Sequence, residues 1–432
     1  MSIDPQAAQL NDVIQAANPA VLRMLSARGR AIFFPKLGVL SQSAEAAGKD
    51  INATIGIALE DDGAPVALPS VSRSLNLPAG DAFPYAPSPG RPDIRKLWRE
   101  MLLKKNPGLA SRSFGQPVVT AALTHGLSMA GYMFAEPGDT VILPDLYWEN
   151  YDLVFGNAYG ATLETFPTYT ASGAFDVAAL ADRLSGPVGK KIVLLNFPNN
   201  PSGYTPTVAE AKAIVATLTA EAARGSAVVL LIDDAYFGLV FEQGVLAESI
   251  FVDLCDAHPN LLAVKIDGAT KEDYVWGFRV GFLTYGIKGG TPALYEALEA
   301  KTGGAIRGNI SNSSNPAQSM LVRSWKSGEY DAEKADKYAL LRTRYQTVRE
   351  VLALHPEYAE AFVPLPFNSG YFMCVRPLKV DAEKLRRKLL ADYSTGTINF
   401  NGVLRIAFSA TPTPKLPKLF ENIYKAALEL AG

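Results

Sequence analysis

The sequence predicts an α/β fold: one large domain on a mostly parallel sheet covered by helices, followed by a smaller α+β domain. Three observations point there. Short apolar runs recur through the middle of the chain, and most of them do not alternate, which is how strands buried on both faces read. Helix-like stretches lie between several of them, and strand–helix–strand order implies parallel pairing with right-handed connections. Beyond about residue 320 the rhythm changes to long helices and isolated strand runs.

In chain order, the first ~75 residues show no strand–helix rhythm and are expected to pack on the small domain. The strand candidates of the large domain are PVVTAAL (117–123), DTVILPD (139–145), KIVLLNFP (191–198), AVVLLID (227–233), LLAVKIDG (261–268) and RVGFLTYG (279–286). THGLSMAGYMFA (124–135) and VAEAKAIVATLTAEAARG (208–225) are helix candidates between them. The small domain should hold a charged helix over 333–354, strands at GYFMCVRP (370–377) and VLRIAFSA (403–410), and a terminal helix over 420–430. The expected division is 1–75, 76–325 and 326–432, since 432 residues exceed what one ordinary core serves.

Composition excludes several classes. Lys+Arg 41 against Asp+Glu 43 leaves no excess of positive charge for nucleic acid or an anionic membrane. Cys255 and Cys374 lie too far apart for a metal-ligand motif or a disulfide framework. His125, His258 and His355 share no helix turn, so a zinc site or a Ser-His-Asp triad is poorly supplied. Proton chemistry would have to come from Lys, Asp, Tyr or a cofactor. The N-terminus MSIDPQAAQLND lacks a secretory signal, and no uncharged apolar run reaches the roughly 18 residues a bilayer span needs, so the cytoplasm is the expected compartment.

Ligands of an open parallel sheet sit at the carboxyl ends of its strands. Residues just past those ends are therefore the candidates. Thr124-His125-Gly126-Leu127 opens a helix and offers amides to an anion. Tyr147, Trp148 and Tyr151 form an aromatic cluster suited to a flat ligand. Asn199-Asn200-Pro201-Ser202-Gly203 presents two amide side chains in a turn. Asp233 closes an apolar strand, where burial penalises its charge unless a cation meets it. Lys271 follows small residues at a strand end and suits a desolvated nucleophile. Taken singly, each is also what packing or turn chemistry produces. The dinucleotide glycine fingerprint is absent, and GPVGKK (186–191) is too short for a phosphate-binding Walker loop.

Together, NNPSG at 199–203, DDAY at 233–236 and TK-x7-R ending at Arg279 resemble the fold-type-I pyridoxal-phosphate aminotransferases, in particular the aspartate and aromatic branch. The resemblance runs from about Asn52 to Ser409. It implies the aspartate-aminotransferase-like fold, pyridoxal 5'-phosphate held as a Schiff base on Lys271, and ping-pong exchange between an L-amino acid and a 2-oxo acid. Lys271 would shuttle the substrate proton, and Asp233 would meet the ring nitrogen. Asn200 and Tyr236 would bond the ring oxygen, and Trp148 would stack on the ring. Gly126, Leu127, Thr270 and Arg279 would serve the phosphate, with Tyr85 from the neighbouring subunit of a homodimer. Arg405 would grip the substrate α-carboxylate as a bidentate pair, with Gly56 beside it. Arg307 would reach the neighbouring site and select aspartate or glutamate, with aromatic substrates entering if it swings aside.

Two positions depart from the family. Gly268 stands where a hydroxyl residue is usual, which removes one phosphate contact. His125 replaces a small residue and is expected either to bond the phosphate or to fill space. A β-lyase or decarboxylase on the same scaffold, and a cofactor-sensing regulator without catalysis, share the same residues. The regulator would need a DNA-binding extension that the first ~50 residues do not show. An unrelated nucleotide-binding oxidoreductase would need the missing glycine fingerprint.

Overall fold

The computed structural model describes residues 3–35 and 38–432. Its larger sheet has seven strands: β1 (Val118–Thr120), β2 (Thr140–Pro144), β3 (Thr162–Phe166), β4 (Lys190–Asn196), β5 (Ala227–Asp233), β6 (Leu261–Asp267) and β7 (Gly281–Gly286). Their order across the sheet is β1-β7-β6-β5-β4-β2-β3. The run from β3 to β6 is parallel, and β7 lies antiparallel between β6 and β1. Ile192–Asn196, Val228–Asp233 and Ala263–Asp267 are buried throughout; the first two are apolar up to their last residue, and the third buries Lys265 against Asp234 and Asp267. Each fully buried Val, Leu or Ile there contributes roughly 1.5–3 kcal/mol.

The longer helices are α1 (Pro5–Ala17), α2 (Pro92–Lys105), α3 (Ala122–Phe134), α4 (Val208–Ala223), α5 (Pro292–Asn309), α6 (Asn315–Trp325), α7 (Tyr330–Leu354), α8 (Ala382–Asp392) and α9 (Leu416–Ala431). α4 starts at a full capping box. Thr207 Oγ1 accepts from the Glu210 amide at 3.2 Å, and Glu210 Oε2 accepts from the Thr207 amide at 2.7 Å. α3 begins two residues before the expected Thr124, because β1 stops at Thr120 and Ala122 turns the chain at φ +66°.

The smaller sheet holds β8 (Phe362–Pro364), β9 (Phe372–Pro377), β10 (Ile398–Phe400) and β11 (Val403–Ala407) in the antiparallel order β10-β11-β9-β8. N-terminal residues join it directly. Ile51–Asn52 pairs in parallel with Thr395–Gly396, and the Ala407 amide donates to Ala53 O at 2.8 Å. Gln42 exchanges hydrogen bonds with the Asn399 backbone at 3.1 and 2.6 Å. Thus β11, which carries Arg405, is tied to the stretch that carries Thr54 and Gly56.

Candidate active site

The carboxyl ends of β4, β5 and β6 converge, as the parallel order requires. Asp233 ends β5 in register with Asn196 of β4 and Ile266 of β6. Its carboxylate is buried and held by two donors: the Tyr151 hydroxyl to Oδ2 at 2.6 Å, and the Ala235 amide to Oδ1 at 3.1 Å. Burial still pushes its carboxyl above the usual carboxylate range, against the lowering pull of Tyr151 and the Lys271 ammonium. Lys271 is half-buried on a short turn, Ala269–Glu272, just past β6, with Nζ 5.1 Å from the Tyr236 ring centroid. Burial holds its amine below the usual lysine range; Asp233 opposes the shift, and Arg279 adds to it. A lysine and a carboxylate buried together, each pushed toward neutrality, form a pair suited to proton transfer.

Arg405 reaches this centre from the small sheet. Nη1 donates to Asn200 Oδ1 at 3.3 Å, Nη2 donates to Thr54 O at 3.1 Å, and Cζ lies 4.4 Å from the Phe372 ring centroid. Its Nε is buried and finds no acceptor among the described residues. A buried guanidinium with an unused donor is prepared for an incoming carboxylate. Asn200 is set by its own amide, which donates to Asn196 Oδ1 at 2.8 Å; Asn196 Nδ2 in turn donates to Asp233 O at 2.7 Å. Tyr236 is buried between these groups, its hydroxyl pushed up by burial. Trp148 packs edge-on against Tyr151, with centroids 5.6 Å apart.

The anion-binding turn needs one correction. Gly126 and Leu127 lie one turn inside α3, where their amides belong to the helical ladder; the open donors are those of Ala122, Leu123 and Thr124. Gly126 instead serves packing, since a Cβ there would come 2.9 Å from Ile266 Cγ2. His125 closes the same turn: its Nδ1 accepts from the Ala121 amide at 3.0 Å, and the Asn309 side chain stands beside its ring. Burial holds its imidazole below the usual histidine range. Thr270 Oγ1 is turned to Val280 O at 3.4 Å, and Arg279 is exposed, with Nη1 donating to Trp276 O at 3.1 Å. Gly268 has a steric cause: a Cβ would lie 2.6 Å from Gly281 Cα and 2.8 Å from Val280 O.

Three expected residues stand apart from this cluster within the single chain. Tyr85 is 91 % exposed. Arg307 lies exposed in the last turn of α5, with Nη1 donating to Ser311 Oγ at 3.0 Å. Gly56 is exposed two residues beyond Thr54. Three contributors escaped the residue-level reading: Tyr151, Asn196 and Thr54. Tyr151 lay inside the aromatic cluster, and Asn196 is the polar residue that ends the apolar run of β4. Thr54 acts through its carbonyl and leaves no mark in the sequence.

Comparison with known proteins agrees with this geometry. Residues 51–423 match the family model of aminotransferase class I and II. An aspartate aminotransferase of Rhizobium meliloti (strain 1021) is 28 % identical over 204 residues, covering 46 % of each chain. A 4-dedimethylamino-4-oxo-anhydrotetracycline transaminase of Streptomyces rimosus is 27 % identical over 320 residues, covering 69 % of this chain and 75 % of the relative. The chain spans about half the length of several of the curated relatives it matches. Among solved structures, an aminotransferase from Anaerococcus prevotii superposes with TM-score 0.82 at 23 % identity, covering 94 % of this chain and 99 % of that one. A Thermus thermophilus aspartate aminotransferase mutant gives 0.73 at 19 %, covering 93 % and 99 %. These likenesses establish the aspartate-aminotransferase-like fold, and with the match over 51–423 the chain belongs to the class I and II aminotransferases.

Proposed function

We propose that the chain is a pyridoxal-phosphate-dependent aminotransferase, exchanging an amino group between an L-amino acid and a 2-oxo acid by a ping-pong course. The observation that carries the reading is the pairing of half-buried Lys271 with buried Asp233 at adjacent strand ends, with the unpaired Nε of Arg405 beside them. The residues present fit pyridoxal phosphate: a covalent anchor in Lys271, a carboxylate for the ring nitrogen in Asp233, and amides for the phosphate at Ala122–Thr124 with Arg279. When bound, the cofactor supplies the electron sink that lets the substrate Cα–H bond break. Arg405 binds the substrate α-carboxylate, and Asn200, already on Arg405, orients with Tyr236 toward the ring oxygen. Lys271 Nζ would take the proton from the substrate Cα and hold it for return.

The same reading assigns Tyr85 to the neighbouring subunit of a homodimer, which suits an aromatic side chain left 91 % exposed. It assigns Arg307 to a distal carboxylate there, which would let aspartate or glutamate serve as a donor. The cytoplasm is the proposed compartment, and the buried, free Cys255 and Cys374 suit a reducing one. No helix among the described residues is long and apolar enough to cross a membrane.

The test is the visible absorbance of protein loaded with the cofactor. Bleaching by an amino donor and recovery with 2-oxoglutarate is expected. Release of pyruvate or ammonia without recovery would make it a lyase or decarboxylase. Failure to take up the cofactor at Lys271 overturns the reading.

A further inference from the structure

Arg405 also lies on the wall of a cavity of about 1110 Å³. One wall comes from Tyr147–Gly160, and the opposite wall from the N-terminal segment, including Ala31, Phe33 and Leu40. That volume lies just above the roughly 300–1,000 Å³ of pockets that hold drug-sized ligands. It is far larger than a dicarboxylic amino acid requires.

Two further features mark the space as built. The wall segment Asp152–Asn157 is a π-helical turn, a rare geometry that recurs at functional sites, and it sets Leu153 and Asn157 on the cavity. The two walls are also joined beside Arg405, where Glu149 accepts a hydrogen bond from the Val39 amide and feels the Arg405 charge. The lining mixes aromatic and apolar groups (Phe33, Leu40, Trp148) with neutral hydrogen-bonding ones (Asn150, Asn157) and with charges of both signs (Arg28 and Arg30, Asp4 and Asp152).

We propose that this cavity is the subsite for the substrate side chain, and that the preferred amino donor carries a side chain longer than that of glutamate, apolar along its stem and hydrogen-bonding at its tip. The proposal rests on the aminotransferase reading, in which Arg405 fixes the α-carboxylate. Once that end is anchored, a long side chain has the space between Trp148, the π-helical turn and the N-terminal wall. It competes with a dicarboxylate preference set by Arg307.

The experiment compares donor half-reactions of the loaded enzyme with L-alanine, L-aspartate, L-norleucine and Nε-acetyl-L-lysine. A kcat/KM for Nε-acetyl-L-lysine at least ten-fold above that for L-aspartate is expected. Leu153→Trp on one wall and Ala31→Trp on the other should each lower the Nε-acetyl-lysine to alanine ratio ten-fold or more. A second readout needs no turnover: 6-acetamidohexanoate should bind at least ten-fold tighter than propionate in a calorimetric titration. L-aspartate as the best donor, or ratios unmoved in both variants, overturns the subsite while leaving the aminotransferase reading intact. Absence of any half-reaction, alanine included, overturns the aminotransferase reading instead.

Discussion

Asp233 and Lys271 pose one electrostatic problem seen from its two ends. Burial resists the charge on each, and each supplies part of what the other lacks. The Tyr151 hydroxyl meets Asp233 Oδ2 directly, so Tyr151→Phe leaves a buried carboxylate oxygen without its donor. A hydrogen bond to a charged group is worth about 1.5–3 kcal/mol, so a fall in kcat of about ten-fold or more is expected, with folding retained. Steady-state kinetics alongside thermal melting check this; unchanged kcat would remove Tyr151 from the site. For Lys271 the sign runs the other way. Its folded pKa is depressed, so its neutral, nucleophilic form persists to lower pH than in an ordinary lysine at 10.5. Asp233 is the group that holds the value up, so Asp233→Ala should depress it further. Reductive methylation of Lys271 in cofactor-free protein, followed by mass spectrometry across pH, should level off below pH 10.5. The Asp233→Ala profile should move to still lower pH, and a move upward would contradict the proposed pairing.

At the level of elements, glycine contacts explain a departure that the sequence shows only as a missing hydroxyl. Gly268, Gly281 and the start of α3 stack backbone on backbone: a Cβ on Gly281 would lie 2.7 Å from the Ala122 carbonyl carbon, as one on Gly268 would crowd Gly281. Gly268→Ser should therefore lower the melting temperature and weaken cofactor uptake; tighter uptake would mean that the backbone can yield. The central strands were legible because burial on both faces leaves unbroken apolar runs. β3 was not, since TLETF is an edge strand whose residues alternate between solvent and sheet. The turn at Ala122 was displaced for a related reason: nothing in PVVTAAL marks where an alanine adopts φ +66°. Asp233 and Lys271 were marked by charge at apolar strand ends and gained their roles only from the spacing of the three motifs together; Arg405, in the middle of β11, was reached through the resemblance alone. Surface pairs are less visible. On α8, Glu383 accepts from Arg386 Nε and Nη2 at 2.8 Å each and from Arg387 Nε at 2.7 Å. These bonds pull its carboxyl down to about 2. Such a depressed carboxylate contributes stability above its unfolded value near 4.5 and loses it as pH falls toward 2. Screened by solvent, Glu383→Gln should cost only about 0.5–1 kcal/mol at pH 7 and almost nothing near pH 2, as read by denaturant unfolding at both pH values.

On the scale of the whole molecule, the site depends on how the two sheets meet, because Arg405 stands on the smaller sheet and Lys271 just past β6 of the larger one. The two residues after Lys271 carry that junction. Lys105 of α2 bonds Glu272 Oε2 at 2.7 Å, and Lys334 of α7 lies 3.6 Å from the same oxygen and 3.3 Å from Asp273 Oδ1. Asp273 also accepts from Tyr330 at 2.6 Å and from Trp325 Nε1 at 2.9 Å. Removing Lys334 leaves both carboxylates other donors, so Lys334→Met should fold, with a melting temperature a few degrees lower. What it releases is the charged tie between α7 and the turn that bears Lys271. If that tie sets where Arg405 stands, the KM for the amino donor should rise several-fold while kcat changes by less than about two-fold, because Asp233 and Lys271 keep their own partners. Equal losses in kcat and kcat/KM would instead mean that the tie acts on Lys271 itself. An unaltered KM would mean that Arg405 is held by Thr54 and Asn200 alone.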